Sequence, residues 1–309
     1  MERKIKTGQR ESNCLELVRK AIFFTHNGEP VRNFWNNKSY LEVTDEEFLK
    51  NQILYINSDG QKSYFGLLEE DRREIEQILR KAQPNENISQ FPDFLFDRGF
   101  IEHFQITSSK TTRKGAEHAK KEGEFYSKVN RETEKIKQEW NSNPSFDETR
   151  CMRWEMNNPV HSHEYLIKSF ENSWCHHMES YDKYMGNKEI GIFMIEYTEM
   201  ALSMCENVYE GWIDGMSQGD MREQEEFKGY RLTRDKKLLN YIYQYRKQIK
   251  YVIFVSNQGV EIICLDKIPY LLKLMPWDYI IYPMVVGTVS TLYNISIPIK
   301  QEEEEKKDE

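Results

Sequence analysis

Between Phe91 and Gly123 the chain reads FPDFLFDRGFIEHFQITSSKTTRKGAEHAKKEG. Two acids, Asp93 and Glu102, stand in a stretch that otherwise mixes apolar residues with a histidine, His103, and a glutamine, Gln105. Carboxylate oxygens brought together on one face can hold Mg2+ or Mn2+, and a cation so placed polarises a phosphoryl group and activates water for phosphodiester hydrolysis. Immediately downstream, TSSKTTRKG supplies hydroxyls together with Lys110, Arg113 and Lys114, a chemistry suited to the phosphate oxygens of a nucleic acid.

Two acids cooperate only if the backbone turns them to the same side. PDFLF and FIEHFQIT read as strands joined across Asp97-Arg98-Gly99, a turn signal. Side chains on directly opposed residues of a hairpin share a face and alternate along each strand. A two-residue turn at Arg98-Gly99 sets Asp93 against Phe104 and on the Glu102 face. A three-residue loop, Asp97-Arg98-Gly99, sets Asp93 against His103 instead. The polar face is then Asp93, His103 and Gln105, with Glu102 left among phenylalanines, an expensive place for a charge. A bulge, common beside active sites, would present Glu102 and Gln105 together.

The elements around the hairpin follow from periodicity. Leu15, Val18, Ile22 and Phe23 have helical spacing over residues 11–25, and LLEEDRREIEQILRKA (67–82) is an amphipathic helix with Arg80 and Lys81 in its last turn. A charged helix is expected over 115–140 and another over 162–185, with Leu166, Phe170, Trp174, Met178 and Tyr181 on one face. QILYINS (52–58) reads as a strand, and IGIFMIEY (190–197) and YVIFVS (251–256) as continuous apolar strands of the buried kind. DKKLLNYIYQYRKQI reads as a helix, VEIICL and DYIIYP as strands, 211–229 as a loop or lid, and 285–299 as β-rich. Helices alternating with apolar strands give an α/β fold whose sheet is covered on both faces.

The order helix, PDFLF, turn, FIEHFQIT, helix, then HHMESYDKYMGNKEIGIFMIEY is similar to the restriction-endonuclease-like nucleases, the PD-(D/E)xK superfamily, over about residues 67 to 200. The resemblance implies a mixed sheet flanked by helices as a nuclease core (67–284), with an N-terminal extension (1–66) and C-terminal strands and an acidic tail (285–309). Pro92-Asp93 resembles the first element of the motif and Glu102 the acid of the second. Asp93 and Glu102 would then be the metal ligands for Mg2+ or Mn2+. Gln105 and His103 would be their catalytic companions, and Lys110, Arg113, Lys114 and His177 contacts to nucleic acid, DNA before RNA. Two residues beyond Glu102, where the family has lysine, stands Phe104. The alternative is accordingly a nuclease-fold subunit that has lost chemistry and serves in binding or assembly. By analogy, a stand-alone enzyme of this class serves restriction or antiviral defence, as a homo-oligomer or with a defence-system partner protein.

Composition bounds these readings. With 39% hydrophobic and 13% aromatic residues the chain has the apolar mass to fold. The start MERKIKTGQRESN lacks an apolar signal core, and no window reaches the roughly eighteen apolar residues of a membrane span, so a cytoplasmic protein without membrane contact is expected. The net charge of −8 is partly the tail QEEEEKKDE, while Lys110 to Lys137 holds nine Lys/Arg against five Glu. Five scattered cysteines without CxxC spacing read as reduced thiols. His161, His163, Cys175, His176 and His177 suggest zinc, but His163 and Cys175 on one helix would stand roughly 18 Å apart. Glu76, on the helix before Asp93, is a candidate third carboxylate.

Overall fold

The computed structural model describes residues 9–22, 55–56, 63–64, 69–87, 90–112, 115–142, 150–207, 226–227, 229–257, 259–273, 278–284 and 289–296. They divide into two compact units, a larger one drawn from residues 5–108 and 161–284 and a smaller one that includes 109–160 and 285–309. The larger unit contains α1 (Gln9–Ile22), α2 (Glu69–Lys81), β1 (Gln83–Pro84), β2 (Phe94–Phe96), β3 (Gly99–Gln105), α3 (His163–Lys183) and β4 (Ile190–Tyr197). It continues with β5 (Leu202–Glu206), α4 (Lys236–Tyr243), β6 (Tyr251–Ser256), β7 (Gly259–Cys264), α5 (Ile268–Lys273) and β8 (Tyr279–Pro283).

Six strands form one mixed sheet in the order β7-β6-β4-β3-β2-β1, in which β3, β4 and β6 run parallel and the outer pairings are antiparallel. IGIFMIEY and YVIFVS lie at its centre because only strands covered on both faces can be apolar at nearly every position. On one face pack Leu15 and Val18 of α1 with Ile75, Ile78 and Leu79 of α2, the i, i+3, i+4 stripe of a half-buried helix. The other face is covered by Leu166, Ile167, Phe170 and Trp174 of α3 and Leu238, Leu239 and Ile242 of α4. Ser162 caps α3, its side chain accepting from the Tyr165 N–H, which fixes where the helix begins and hence which residues face the sheet. The architecture is mixed α/β, a multi-strand sheet flanked by helices.

The hairpin turns at neither place expected from its sequence. The two-residue turn is Asp97-Arg98, and the register is Phe94 against Ile101, Leu95 against Phe100 and Phe96 against Gly99. Gly99 is a strand residue because it is where β4 begins alongside β3: a Cβ on Gly99 would run into the backbone carbonyl of Ile190. The glycine therefore serves close approach of two backbones. The Ile190 N–H donates to Arg98 O at 3.0 Å, Asn187 Nδ2 donates to Asp97 O at 3.0 Å, and Arg98 pairs with Glu189 and, at 3.2 Å, with Glu74. These contacts pin the hairpin tip to the start of the next strand.

Other differences have simple causes. The helix expected over 235–249 ends at Tyr243 and continues as turns, so the Tyr-rich run is divided between the two. DYIIYP leaves the main sheet: β8 pairs with β5, which also pairs with Glu226–Phe227. Of the strand expected at 52–58 the described residues are Tyr55–Ile56, paired with Ser63–Tyr64. Most of 211–229, the acidic tail and part of 285–299 lie outside the described residues.

The smaller unit holds the long charged helix, Glu117–Ser142, and an antiparallel ribbon of Arg150–Asn157 with Val289–Ser296. Trp154, buried in that ribbon, donates from Nε1 to Glu132 of the helix at 2.5 Å. In the larger unit the points where the chain departs and returns adjoin. The Ser162 N–H donates to Ser108 O at 2.9 Å, and the buried Ser108 hydroxyl lies 2.8 Å from His161 Nδ1, 2.9 Å from Tyr197 Oη and 2.7 Å from Glu199 Oε2. Among the described residues no helix is long and apolar enough to cross a membrane. All five cysteines are free thiols, Cys14 and Cys264 buried.

Candidate active site

Carried one residue past Phe94, the register of β2 and β3 sets Asp93 directly against Glu102, so the two acids belong to the same face of the hairpin. Backbone donors hold both. The Asp93 N–H donates to Glu102 Oε2 at 3.1 Å, and the His103 N–H to Asp93 Oδ2 at 2.7 Å. Asn85, just past β1, clamps the approach: its backbone N–H donates to Asp93 O and its side chain to Pro92 O, each at 2.8 Å. From α3, His177 places Nδ1 2.7 Å from Glu102 Oε1 and stacks its ring on Phe104 at 4.6 Å between centroids. His177 stands three residues after the buried Trp174, on the helix face turned to the sheet. The position two beyond Glu102 is thus a flat apolar platform under an imidazole.

Burial and neighbouring carboxylates tune these groups. Asp93 is pushed up to about 7 by burial and then by the charge of Glu102. Glu102, 6% exposed, is pushed up to about 7, first by burial, with Glu11 of α1 adding to it against the lowering effect of the Asp93 N–H. Glu11 also raises Asp93, and its Oε2 is buried without a hydrogen-bond partner. His177 is pushed down to about 4, chiefly by burial. Crowded carboxylates that resist ionisation are what a divalent cation relieves, and the donor set is hard oxygen throughout.

A pH dependence follows. Unfolded carboxyls titrate near 4 and these two near 7 when folded, so the folded state binds extra protons between those values and stability falls as pH rises through that window. His177 has the opposite sense, losing stability as pH falls from about 6.5 towards 4, but it is one group against two. For Glu102 alone, titration between pH 5.5 and about 7 is worth on the order of 2 kcal/mol. Thermal melts in chelator should therefore show wild type losing stability from pH 5.5 to 8 relative to Glu102→Gln, with Mn2+ recovering the loss at pH 8. Parallel pH profiles for the two proteins would contradict this electrostatic account.

The other expected site residues are dispersed. His103 and Gln105 point to the opposite face of β3, where Nε2 of His103 lies 3.2 Å and Nε2 of Gln105 2.5 Å from Glu196 Oε2, with Arg10 Nε at 3.1 Å from the same oxygen. The parallel ladder of β3 with β4 runs unbroken from Gly99 to Gln105, so no bulge carries Gln105 round to Glu102. Lys110 is exposed and belongs to the smaller unit, and Arg113 and Lys114 lie outside the described residues. Glu76 is half-buried on α2, while the helical carboxylate whose charge reaches Asp93 and Glu102 is Glu11.

The histidine cluster disperses too. His161 meets Ser108, His163 lies 2.6 Å from Asp235 Oδ2, Cys175 lies 3.4 Å from Tyr241 Oη, and His176 is exposed. Of this set only His177 reaches the acids. Glu11 and Glu196 escaped the sequence reading, although Glu11 stands four residues before Leu15 and hence on the buried stripe of α1. Asp93 and Glu102 belong to no described group of three or more donor atoms all within 4.8 Å of one another, so a cation on this pair would complete its shell with water, as Mg2+ commonly does. No family model, no curated protein and no solved structure matches this chain.

Proposed function

We propose that the chain is a metal-dependent nuclease of the restriction-endonuclease-like class, hydrolysing phosphodiester bonds of DNA and less readily RNA. The observation that carries this reading is the pairing of Asp93 with Glu102 across the hairpin. The order of α2, β1, β2, β3, α3 and β4, with β4 parallel to β3 at its side, supports it as the arrangement that the sequence resemblance implies. Asp93 and Glu102 would hold Mg2+ or Mn2+, which when bound polarises the phosphoryl group and acidifies water. His177 takes the place of the lysine: neutral at pH 7, it would donate from Nδ1 to Glu102 once a bound cation keeps that carboxylate ionised, which leaves Nε2 with a lone pair for a proton from the attacking water. Phe104 holds the imidazole plane by stacking. The setting suggested by the class is restriction or antiviral defence in the cytoplasm.

Incubating supercoiled plasmid and single-stranded DNA with Mg2+ or Mn2+ tests the reading. Cleavage should depend on the cation and fall at least about 100-fold in Asp93→Ala. Equal activity in wild type and variant rejects the site. A second reading, a degenerate binding or assembly subunit, is favoured by Phe104 at the lysine position and by the engagement of Gln105 with Glu196. Calorimetric titration with Mn2+ separates the two, because a site that has lost its chemistry shows no cation binding dependent on Glu102.

A further inference from the structure

On the side of β3 away from Glu102, three donors of different chemistry converge from three elements. They are the thiol of Cys14 on α1, the imidazole of His103 on β3 and the carboxylate of Glu196 on β4, with one donor atom of each lying within 4.8 Å of the others. Cys14 is 4% and His103 7% exposed, while the Glu196 side chain retains 15%, so the trio is enclosed with one edge open to solvent. We propose that Cys14, His103 and Glu196 form a binding site for a thiophilic divalent cation of the zinc class, separate from the carboxylate pair and independent of the nuclease reading.

The donor set selects the ion. Sulfur, imidazole nitrogen and one carboxylate oxygen match the ligands of zinc, cobalt(II) and iron(II), whereas Mg2+ and Ca2+ prefer oxygen alone. Bonds of about 2.0 to 2.3 Å in a tetrahedron place neighbouring ligand atoms about 3.3 to 3.8 Å apart, so the trio needs only a modest contraction. Three protein ligands leave a fourth position for water, which the partly exposed edge at Glu196 admits. Gln105 and Arg10 both donate to Glu196 Oε2, which His103 Nε2 approaches at 3.2 Å, and so orient the carboxylate. The Arg10 side chain is 44% exposed, so its charge is screened and it can swing aside. Binding releases the thiol proton to solvent, and a ring nitrogen of His103 supplies the second bond.

Cobalt(II) titration of the chelator-treated full-length protein reads the site directly, because a thiolate bound to cobalt gives a charge-transfer band in the near ultraviolet. We expect one equivalent of cobalt to produce the band, stoichiometric zinc to bleach it, and excess Mg2+ to leave it unchanged. Cys14→Ser should abolish it, and Glu196→Gln, at a partly exposed position, should weaken cobalt affinity at least about 10-fold with an unchanged circular dichroism spectrum. Asp93→Ala should keep the band, which separates failure of this site from failure of the carboxylate pair. Absence of the band at saturating cobalt, or its survival in Cys14→Ser through an adventitious ion on the other thiols, overturns the proposal.

Discussion

Glu102→Gln is expected to fold and to lose cation-dependent DNA cleavage by about three orders of magnitude, equivalent to roughly 4 kcal/mol of transition-state stabilisation. The substitution keeps the shape of a side chain that is 6% exposed, and the amide oxygen can still accept from the Asp93 N–H. It removes the charge that attracts a cation and, equally, the carboxylate oxygen that lies 2.7 Å from His177 Nδ1. Both losses fall on the same step, so they should appear in kcat more than in substrate affinity. Initial rates at saturating Mn2+, with thermal melts to confirm folding, check the expectation. A fall of less than about 10-fold would remove Glu102 from the chemistry.

Gly99→Ala should lower the melting temperature by about 10 °C, from a destabilisation of roughly 3 kcal/mol or more. The added methyl has no flexible side chain to push aside, since it meets the Ile190 carbonyl where β4 starts. Relief requires β4 to move away from β3 or the hairpin to shift by a residue, and a one-residue shift would carry Glu102 off the Asp93 side. Cleavage should therefore fall with stability. Arg98→Ala, at the neighbouring exposed turn position, gives the comparison, losing only exposed ion pairs with Glu189 and Glu74, an effect well below that of Gly99→Ala. If both variants melt together, the close approach of the two strands is not what places the hairpin.

The contrast between those neighbours explains how much was legible in advance. IGIFMIEY and YVIFVS announced themselves because unbroken apolar runs have few other uses, and the stripes of α2 and α3 repeat at a helical period within a dozen residues. That Asp93 and Glu102 share a face was one of the two arrangements open in the sequence, because they are close in a hairpin. The turn was not fixed locally, since Asp97-Arg98-Gly99 satisfies several local geometries and the deciding contact comes from Ile190. The bulge that would have brought Gln105 to Glu102 is absent, and the partner that holds Gln105 on the other face, Glu196, lies 91 residues on. Glu11 carries a local mark in its place four residues before Leu15, but its effect on the two acids arises only when α1 packs on the sheet. Arg150–Asn157, RCMRWEMN, alternates too weakly to be read as a strand without its partner, Val289–Ser296.

The bond from the Ser162 amide to the Ser108 carbonyl makes the exit and re-entry of residues 109–160 near neighbours. The stretch that follows the hairpin and the start of α3 are therefore joined by a bond inside the larger unit, and not only through the residues between them.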